Sequence, residues 1–339
     1  MTTRIRDLAK KTGLSITTIS QILNNKGERF SDETKKIVFD TVKKMNYKPN
    51  YYAKNMIKND TETIGMIVPE VTDPFFSLVV KGVEDYLEEK GYSLILCNSS
   101  HDPNREKKYI EKFIYRKVEG VIIASPNKIS KETLGMLNEH NTPYLLLDRN
   151  LNENLGSKVL ADEEAGVSKA ISYLVKMGHR KIGILVSDNQ YYNLNNRLEI
   201  YLKCMEQNNI HVPENWISQG ILAFNGGYLA AKNLLENASV TAIFAENDQL
   251  AVGAYSAIYE KGLKIPDDIS IIGFDDIDIS KYLTPPLTTV SLPIYDIGKN
   301  AAVTLMNQIK NPDCEKKNVL LKTNFIIRKS VKEIDNVYK

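Results

Sequence analysis

Residues 5–24 carry an apolar pattern that repeats every three or four positions and predicts two short helices. The apolar positions of the first helix are Ile5, Leu8 and Ala9, and those of the second are Ile19, Ile22 and Leu23. Gly13 separates the two helices, and Ser15 is a favourable N-cap for the second one. Two short helices joined by a tight turn are typical of a helix-turn-helix unit or of an ordinary helical hairpin, and their spacing does not distinguish the two.

The opposite face of the second helix carries short polar side chains and one apolar group. Its members are Ile16, Thr17, Ser20, Gln21 and Asn24. In a helix-turn-helix unit this face enters the major groove of DNA, N-terminal end first. Ile16 would then contact a thymine methyl group, and Thr17 and Gln21 would hydrogen-bond to base edges.

The charge distribution favours the DNA-binding interpretation over the plain hairpin. Residues 1–60 contain 13 Lys and Arg against 6 Asp and Glu, which leaves 31 against 36 in the rest of the chain. The overall net charge of +2 would not indicate a nucleic-acid partner by itself. A basic head on a mildly acidic body, however, is the charge layout expected of a DNA-binding protein.

A third helix is predicted from Ser31, its N-cap, to a point before Pro49. The predicted apolar face of this helix comprises Ile37, Val38, Thr41, Val42 and Met45. Residues 50–59 could form a further helix of about two turns, which is marginal on its own because nucleation is costly. Such a segment either orders on a partner or is a plain linker, and the residues alone favour the linker.

Short apolar runs alternate with amphipathic segments from residue 63 onward. The runs are IGMIVP, SLILCN, GVIIAS and YLLLDR, followed by IGILVS, TAIFAEND and IIGFDD. The first intervening helix is expected from Phe75 to Lys90. Alternation of this kind predicts parallel sheets covered by helices on both faces, and the repeat of the pattern predicts two similar halves. The expected fold class is therefore an α/β core of two doubly wound parallel-sheet halves, preceded by an all-α headpiece.

Polar and aromatic side chains directly follow several of these runs. They are Asp73 with Phe75 and Phe76, Asp148 with Arg149, Asn247 with Asp248, and Asp275, while Arg197 lies near the start of a helix in the second half. Ligands of doubly wound sheets bind beyond the carboxyl ends of the strands. Carboxylates and guanidinium groups around an aromatic face suit a polyhydroxylated ring, whose hydroxyls both donate and accept. Each aspartate by itself could equally be a helix N-cap.

Other features narrow the class of protein. The 339-residue chain contains three widely spaced cysteines, Cys97, Cys204 and Cys314, which predict reduced thiols in a cytoplasmic protein without a metal site. No apolar N-terminal segment and no run of 18 apolar residues occurs, so neither secretion nor membrane insertion is expected. A transport receptor would need an export signal, so this class of protein is disfavoured. An enzyme would need a nucleophile elbow, a metal-binding motif or a phosphate loop, and the chain has none of these motifs, so no cofactor is expected.

The motifs taken together resemble the LacI/GalR family of bacterial transcriptional repressors over essentially the whole chain. The matching segments are LSITTISQILNN, YKPN, IGMIVPEVTDPFF, LLLDR, GHRKIGIL, FAENDQLAVGA, ISIIGFDDI and PPLTTV. The resemblance implies a headpiece over residues 1–49, a hinge over 50–61 and an effector-binding core over 62–339. It further implies an N-subdomain over about 62–160 and 292–323 and a C-subdomain over about 161–291 and 324–339. A member of this family is expected to bind a pseudo-palindromic operator as a homodimer.

The resemblance also implies roles for individual residues. Ile16, Thr17 and Gln21 match the base-reading positions, with Ser20 and Asn24 beside them. Met56, with Ala53 next to it, matches the hinge leucine that wedges into the minor groove. The positions that match effector-binding residues of sugar-responsive members are Asp73, Phe75, Phe76, Asp148, Arg149, Arg197, Asn247 and Asp275. Leu222 stands where an aromatic residue often stacks on the effector, and the nearby Phe224 could take that role. Leu292 stands where a glutamine is frequent.

The resemblance implies two alternative molecules that control the activity of this protein. DPFF together with LLLDR is most similar to ribose-type members, which implies a small sugar such as ribose as effector. The YDIG segment at residues 295–298 is similar to the catabolite control protein of the family, whose corepressor is a serine-phosphorylated phosphocarrier protein. Val303 and Asn307, on the following helix, are not basic and so disfavour a phosphate-binding surface there. The phosphocarrier protein is therefore the alternative partner.

Overall fold

The computed structural model describes residues 3–24, 28–47, 61–124, 129–147, 156–188, 192–315 and 317–334. The chain divides into two compact units, Met1–Thr61 and Glu62–Lys339. None of the helices in the described ranges is both long enough and apolar enough to cross a membrane.

The first unit contains three short helices whose ends follow from local chemistry. They are α1 (Ile5–Thr12), α2 (Ile16–Leu23) and α3 (Asp32–Lys44). Gly13 ends α1 in the left-handed conformation at φ 72°, and its N–H donates to the carbonyl of Ala9. Ser15 caps α2, because its hydroxyl accepts a hydrogen bond from the Thr18 N–H at 3.0 Å.

The core of the first unit confirms the predicted faces of α1 and α2 and corrects the predicted face of α3. Its buried apolar residues are Leu8, Ile19, Ile22 and Val38. On α3, Val42 and Met45 pack against this core, but the side chain of Ile37 is 45% exposed. The inclusion of Ile37 in the buried face was wrong, since only the positions in line with Val38 face the other two helices. Thr41 is half-buried, and its hydroxyl donates to the Ile37 carbonyl within α3.

The second unit begins with a parallel sheet and its helices. The strands are β1 (Thr63–Val68), β2 (Ser93–Asn98), β3 (Gly120–Ala124), β4 (Tyr144–Leu147) and β5 (Ser157–Ala161). The helices are α4 (Pro74–Glu89), α5 (Pro103–Tyr115) and α6 (Lys131–Glu139). The β1 strand pairs in parallel with both β2 and β3, so the sheet is wound in both directions from its centre.

The same plan repeats in a second sheet. Its strands are β6 (Ile182–Ser187), β7 (Ile217–Gly220), β8 (Ala242–Ala245), β9 (Ser270–Asp275) and β10 (Thr288–Ser291). Its helices are α7 (Glu163–Lys176), α8 (Tyr192–Gln207), α9 (Phe224–Asn237) and α10 (Asp248–Glu260). The β6 strand pairs in parallel with both β7 and β8, as β1 does in the first sheet.

The end of the chain returns to both sheets. The last helix, α11 (Ile294–Lys310), packs on α4 of the first half. The strand β11 (Asn318–Leu321) then extends the first sheet beside β5, and β12 (Asn324–Ile326) pairs antiparallel with β10 of the second sheet. Each half therefore contains a late segment of the chain, and the predicted fold class is confirmed.

Glycine allows two helices of the first half to approach closely. A Cβ atom on Gly298 of α11 would lie 2.0 Å from the carbonyl oxygen of Val79 in α4, which is much too close. Gly82 of α4 faces the backbone of Tyr295 in the same way. The contact between α4 and α11 therefore depends on the absence of a side chain at both positions.

Candidate functional site

Arg197, on α8, lies at the centre of a buried group of charged side chains at the carboxyl ends of the second sheet. Its Nε and Nη2 donate to one carboxylate oxygen of Glu163, at 3.1 and 2.5 Å. Its Nη1 donates to the backbone carbonyl of Glu246 at 2.6 Å. The guanidinium carbon lies 3.9 Å from the ring centroid of Phe274, so the aromatic ring covers one face of the cation. Arg197 is thus held in a fixed orientation and is only 5% exposed.

Asp275 ends β9 beside this guanidinium group. Its Oδ1 lies 3.7 Å from Nη1 of Arg197, which is an ion-pair distance but too long for a hydrogen bond. That oxygen is buried and has no hydrogen-bond partner within the described ranges. The Asp275 backbone has a φ of 109°, which is a strained conformation for a residue with a side chain. A buried acceptor without a donor, held by a strained backbone, indicates a place where a ligand hydroxyl or N–H binds.

Asp248 holds the loop after β9 in place through hydrogen bonds. It is completely buried and accepts three hydrogen bonds, from the Ile277 N–H at 3.0 Å and from the hydroxyls of Ser280 and Thr289 at 2.6 Å each. These bonds join the start of α10 to the loop that follows Asp275 and to β10. The sequence pattern placed Asp248 at a strand end but did not identify this supporting role.

Asn247 precedes Asp248 and caps α10. Its side-chain oxygen accepts a hydrogen bond from the Leu250 N–H at 2.9 Å, and the residue is 4% exposed. The N-cap role that sequence reasoning left open is therefore real. The effector-binding role of Asn247 stays a prediction, carried by the amide nitrogen of the same side chain.

Asp73 links the first half of the core to the second half near this group of side chains. It caps α4 by accepting the Phe75 N–H at 2.8 Å, and it is hydrogen-bonded by the side chain of Gln249 from α10 of the second half. The negative charge of Asp73 also contributes to the raised pKa of Asp275. The rings of Phe75 and Phe76 are half-buried and meet edge to face, with centroids 5.1 Å apart.

Sequence reasoning missed two acidic members of this group. Glu163 lies at the start of α7, and Glu246 lies directly after β8, within the FAEND segment. The Glu246 carboxylate is 1% exposed and accepts the Ser187 N–H at 2.7 Å. The position of Glu246 next to Asn247 was the available signal, whereas nothing near Glu163 in the chain points to Arg197.

Burial raises the pKa of four carboxyl groups at this site. It raises the pKa of the Glu246 carboxyl to about 8 and that of Asp248 to about 7, although neighbouring donors oppose both shifts. Burial likewise raises the pKa of Asp73 and, well above its ordinary value, that of Asp275. For Arg197 burial opposes the charge, but the pKa is still raised because Glu163, Asp275 and Glu246 outweigh it. Burial therefore favours the protonated, uncharged form of these carboxyl groups, and for Glu246 it does so even at neutral pH.

The remaining predicted site residues are either exposed or outside the described part of the chain. Phe224 is the first residue of α9 and is 43% exposed. Asp148 and Arg149 lie outside the described residues, as do Ala53 and Met56. No group of three or more His, Cys, Asp or Glu in the described ranges is placed to hold a metal ion.

The outer face of α2 is largely free in the first unit. Ile16 is 42% exposed, and Thr17 and Asn24 are exposed as well. Gln21 is half-buried and accepts a hydrogen bond from Arg29 at 2.5 Å, which would have to break for Gln21 to reach a base. Ser20 is half-buried, and its carbonyl accepts the amide of Asn24 at 2.8 Å. The face thus presents polar groups and one exposed isoleucine, as the sequence predicts.

Comparison with known proteins assigns a family to this architecture. Residues 4–50 match the model for bacterial regulatory proteins of the lacI family, and residues 171–331 match a periplasmic binding protein-like domain. The HTH-type transcriptional repressor PurR of Vibrio campbellii is 33% identical over 98% of this chain and 99% of its own length. The ribose operon repressor of Haemophilus influenzae is 33% identical over 96% of this chain and 98% of its own length.

Solved structures agree with this assignment. A LacI family transcriptional regulator from Enterococcus faecium with bound ribose has a TM-score of 0.73 at 32% identity, covering 80% of this chain and all of its own. The lac repressor dimer bound to operator and the anti-inducer ONPF has a TM-score of 0.89 at 25% identity, covering 98% of this chain and all of its own. With a helix-turn-helix headpiece, a two-sheet core and relatives that are repressors and not enzymes, this chain belongs to the LacI family of transcriptional repressors.

Proposed function

We propose that this repressor is controlled by a small neutral sugar, ribose in the first place, bound between the carboxyl ends of the two sheets. The observation that carries the proposal is the buried, unpaired Oδ1 of Asp275 next to Arg197. A sugar hydroxyl would donate to that oxygen, and a buried acceptor gains more from such a bond than an exposed one. The bound ribose of the Enterococcus faecium regulator supports the choice of sugar.

Both halves of the core would contact the sugar. Asp73 and the rings of Phe75 and Phe76 belong to the first half, and Arg197 and Asp275 belong to the second. Carboxylates would accept from hydroxyls, the free N–H groups of Arg197 would donate to ring oxygens, and an aromatic ring would cover the C–H face. Asp148, Arg149, Asn247 and Phe224 are proposed to complete the site, as the family resemblance predicts.

The headpiece would read DNA through α2. Ile16, Thr17 and Gln21 are proposed to contact base edges, with Ser20 and Asn24 beside them, and basic residues of the headpiece would neutralise phosphates. The hinge residue Met56, with Ala53 beside it, would insert into the minor groove at the centre of the operator. A DNA partner also implies a cytoplasmic protein.

A homodimer on a pseudo-palindromic operator is proposed on two grounds. The lac repressor, which shares this architecture, was solved as a dimer on its operator. In this chain large apolar side chains of the second half are exposed, with Ile221 at 64% and Tyr282 at 75%, as is typical of a surface that a second copy covers.

Sugar binding would control DNA binding by changing the relation of the two halves. A ligand shifts such an equilibrium only by its difference in affinity between the two states, and a change from 1:99 to 99:1 requires about 5.5 kcal/mol. Two sugar sites in a dimer would share this requirement. Contacts that exist only when Asp73 and Asp275 hold the same ligand provide such a difference.

Calorimetric titration of the full chain with pentoses, hexoses and their phosphates tests the proposal. We expect ribose to bind, and we expect Asp275→Ala to abolish the binding. Asp278→Ala is the matched control, because Asp278 is an exposed aspartate of the same loop that pairs with the exposed Lys281. Absence of heat with every sugar of the panel would refute the sugar hypothesis and would favour the serine-phosphorylated phosphocarrier protein as the regulator.

A further inference from the structure

The backbone at the end of β9 is strained at two consecutive residues. Asp275 has a φ of 109° and Asp276 has a φ of 62°. Both values lie in the region that residues with a Cβ atom adopt at a cost, so two in succession need support from outside the loop. The Oδ1 atom of Asp275 has no hydrogen-bond partner among the described residues and cannot supply that support. Neighbouring segments must therefore hold this backbone.

Arg328 holds the second strained residue. It lies two positions after β12, and its Nη2 donates to Oδ1 of Asp276 at 2.5 Å. Its Nη1 donates to the Leu287 carbonyl at 2.8 Å, and its backbone N–H donates to the Thr288 hydroxyl at 3.0 Å. The side chains of Arg328 and Asp276 are each 15% exposed, so water reaches the ion pair only in part. One side chain thus joins the strained loop to β10.

The residues on either side of Asp276 are bonded to other segments. The carbonyl of Asp275 accepts the Leu292 N–H at 3.3 Å, and the Ile277 N–H donates to Asp248 at 3.0 Å. Three consecutive residues therefore have partners in three different parts of the chain. The bond from Arg328 is charge-assisted, which makes it strong for a contact between side chains.

We propose that Arg328 is a positioning residue for the sugar, acting through Asp276 to keep the unpaired Oδ1 of Asp275 beside Arg197. The inference rests on the proposed sugar-binding function. Without the ion pair the backbone of Asp276 can relax to a negative φ, and Asp275, the residue before it, loses its fixed direction. Sugar binding then weakens although the protein stays folded.

Two substitutions at one position separate this role from an effect of charge. Asp276→Ala and Asp276→Gly both remove the carboxylate, but glycine adopts a φ of 62° without steric cost. By calorimetry of the full chain with ribose, we expect Asp276→Ala to bind about tenfold more weakly than the unmodified protein. We expect Asp276→Gly to bind about fivefold more tightly than the alanine variant. If Asp276 acted through its charge alone, both variants would lose the same affinity.

Substitutions of Arg328 test the other side of the ion pair. Arg328→Met should weaken ribose binding, and Arg328→Lys should recover part of the loss, because lysine keeps the charge but not the two-pronged donor. Lys329→Met is the control, since Lys329 is the exposed neighbour and should not matter. In an Asp276→Gly background Arg328→Met should leave ribose affinity nearly unchanged. Urea unfolding should still show a loss of stability there, because the bond to Leu287 is removed in either background.

Hydrogen exchange tests the backbone without any sugar. The Leu292 N–H, which is bonded to the Asp275 carbonyl, should exchange faster in Asp276→Ala than in Asp276→Gly. Equal exchange in the two variants overturns the support of the strained loop by Asp276.

The outcomes distinguish this inference from the proposed function. Equal ribose affinities of Asp276→Ala and Asp276→Gly overturn the positioning role and leave sugar binding intact. A large further loss on Arg328→Met in the glycine background shows that Arg328 acts in another way and also overturns it. If the unmodified protein does not bind ribose, the proposed function is overturned and this inference with it. The alanine and glycine pair decides the question even if Arg328→Met folds poorly.

Discussion

The buried carboxylate of Asp248 provides the sharpest test of how the site is held in place. We expect Asp248→Ala to destabilise the core and Asp248→Asn to leave it nearly as stable. The alanine variant loses three hydrogen bonds and leaves the Ile277 N–H buried without its partner. Bonds to a charged acceptor and an orphaned buried donor together correspond to about 3–5 kcal/mol of unfolding free energy.

Asparagine preserves most of this network. With its side-chain oxygen in the position of Oδ2, it still accepts from the Ile277 N–H and from the Ser280 hydroxyl. Its amide nitrogen would then face Thr289, whose hydroxyl can turn and accept instead of donate. Near pH 7, removal of a buried charge offsets part of the loss, so at that pH we expect a change of less than about 1 kcal/mol.

The pH dependence provides an independent check on the same group. Burial raises the pKa of Asp248 to about 7, so the folded state holds a proton that the unfolded state has released. The corresponding stability is present below the pKa of the unfolded chain and is lost as the pH rises through the folded pKa. From about pH 5 to pH 7, Asp248→Asn should gain stability relative to the unmodified protein by up to about 1.4 kcal/mol per pH unit.

Urea unfolding followed by tryptophan fluorescence measures both effects. The chain has one tryptophan, Trp216, which packs against the cores of the second unit. The two variants and the unmodified protein are compared at several pH values under matched conditions. An Asp248→Ala variant within about 1 kcal/mol of the unmodified protein would refute the supporting role of the network. An Asp248→Asn difference that does not change with pH would refute the raised pKa.

Two further substitutions test the packing and capping arguments. Gly298→Ala should destabilise the core by at least about 2 kcal/mol, because the added Cβ would meet the Val79 carbonyl. Gly135→Ala in α6 should stabilise the core by about 0.5–1 kcal/mol, because no atom lies within 4 Å of the added Cβ and alanine favours the helix. Urea unfolding measures the pair, and equal effects would contradict the packing argument. Ser15→Ala should reduce the stability of the headpiece by about 1 kcal/mol, because the Thr18 N–H loses the Ser15 hydroxyl that caps α2. Circular dichroism should show this loss as a lower melting temperature. An unchanged melting temperature would show that the cap contributes nothing.

The local pattern predicted the elements of this fold closely. The first core helix was expected from Phe75 to Lys90 and runs from Pro74 to Glu89. Its start depends on Asp73 as N-cap and on a proline in the first turn, both of which are visible within a few residues of sequence. Ile37 was assigned wrongly because periodicity within one helix does not reveal which neighbours cover it.

The candidate site was predicted in part. Asp275 lies beside Arg197, and Asp73 of the first half is hydrogen-bonded from the second half, as expected if ligands bind beyond the carboxyl ends of the strands of both sheets. The partners that set their charge state were not predicted. Glu163 lies 34 positions from Arg197, and Asp248 lies 41 positions from Thr289, so no local spacing connects them.

By itself the sequence determined the helices, the strands and the repeat of the two halves, because capping, periodicity and turn preferences act over a few residues. It also determined the basic headpiece and the strand-end positions of the polar residues. Only the tertiary structure decided which charges meet, which of them lose water, and which oxygen of Asp275 is left without a donor. Those properties depend on desolvation and on distances between segments far apart in the chain, and they set the chemistry that the cleft can bind.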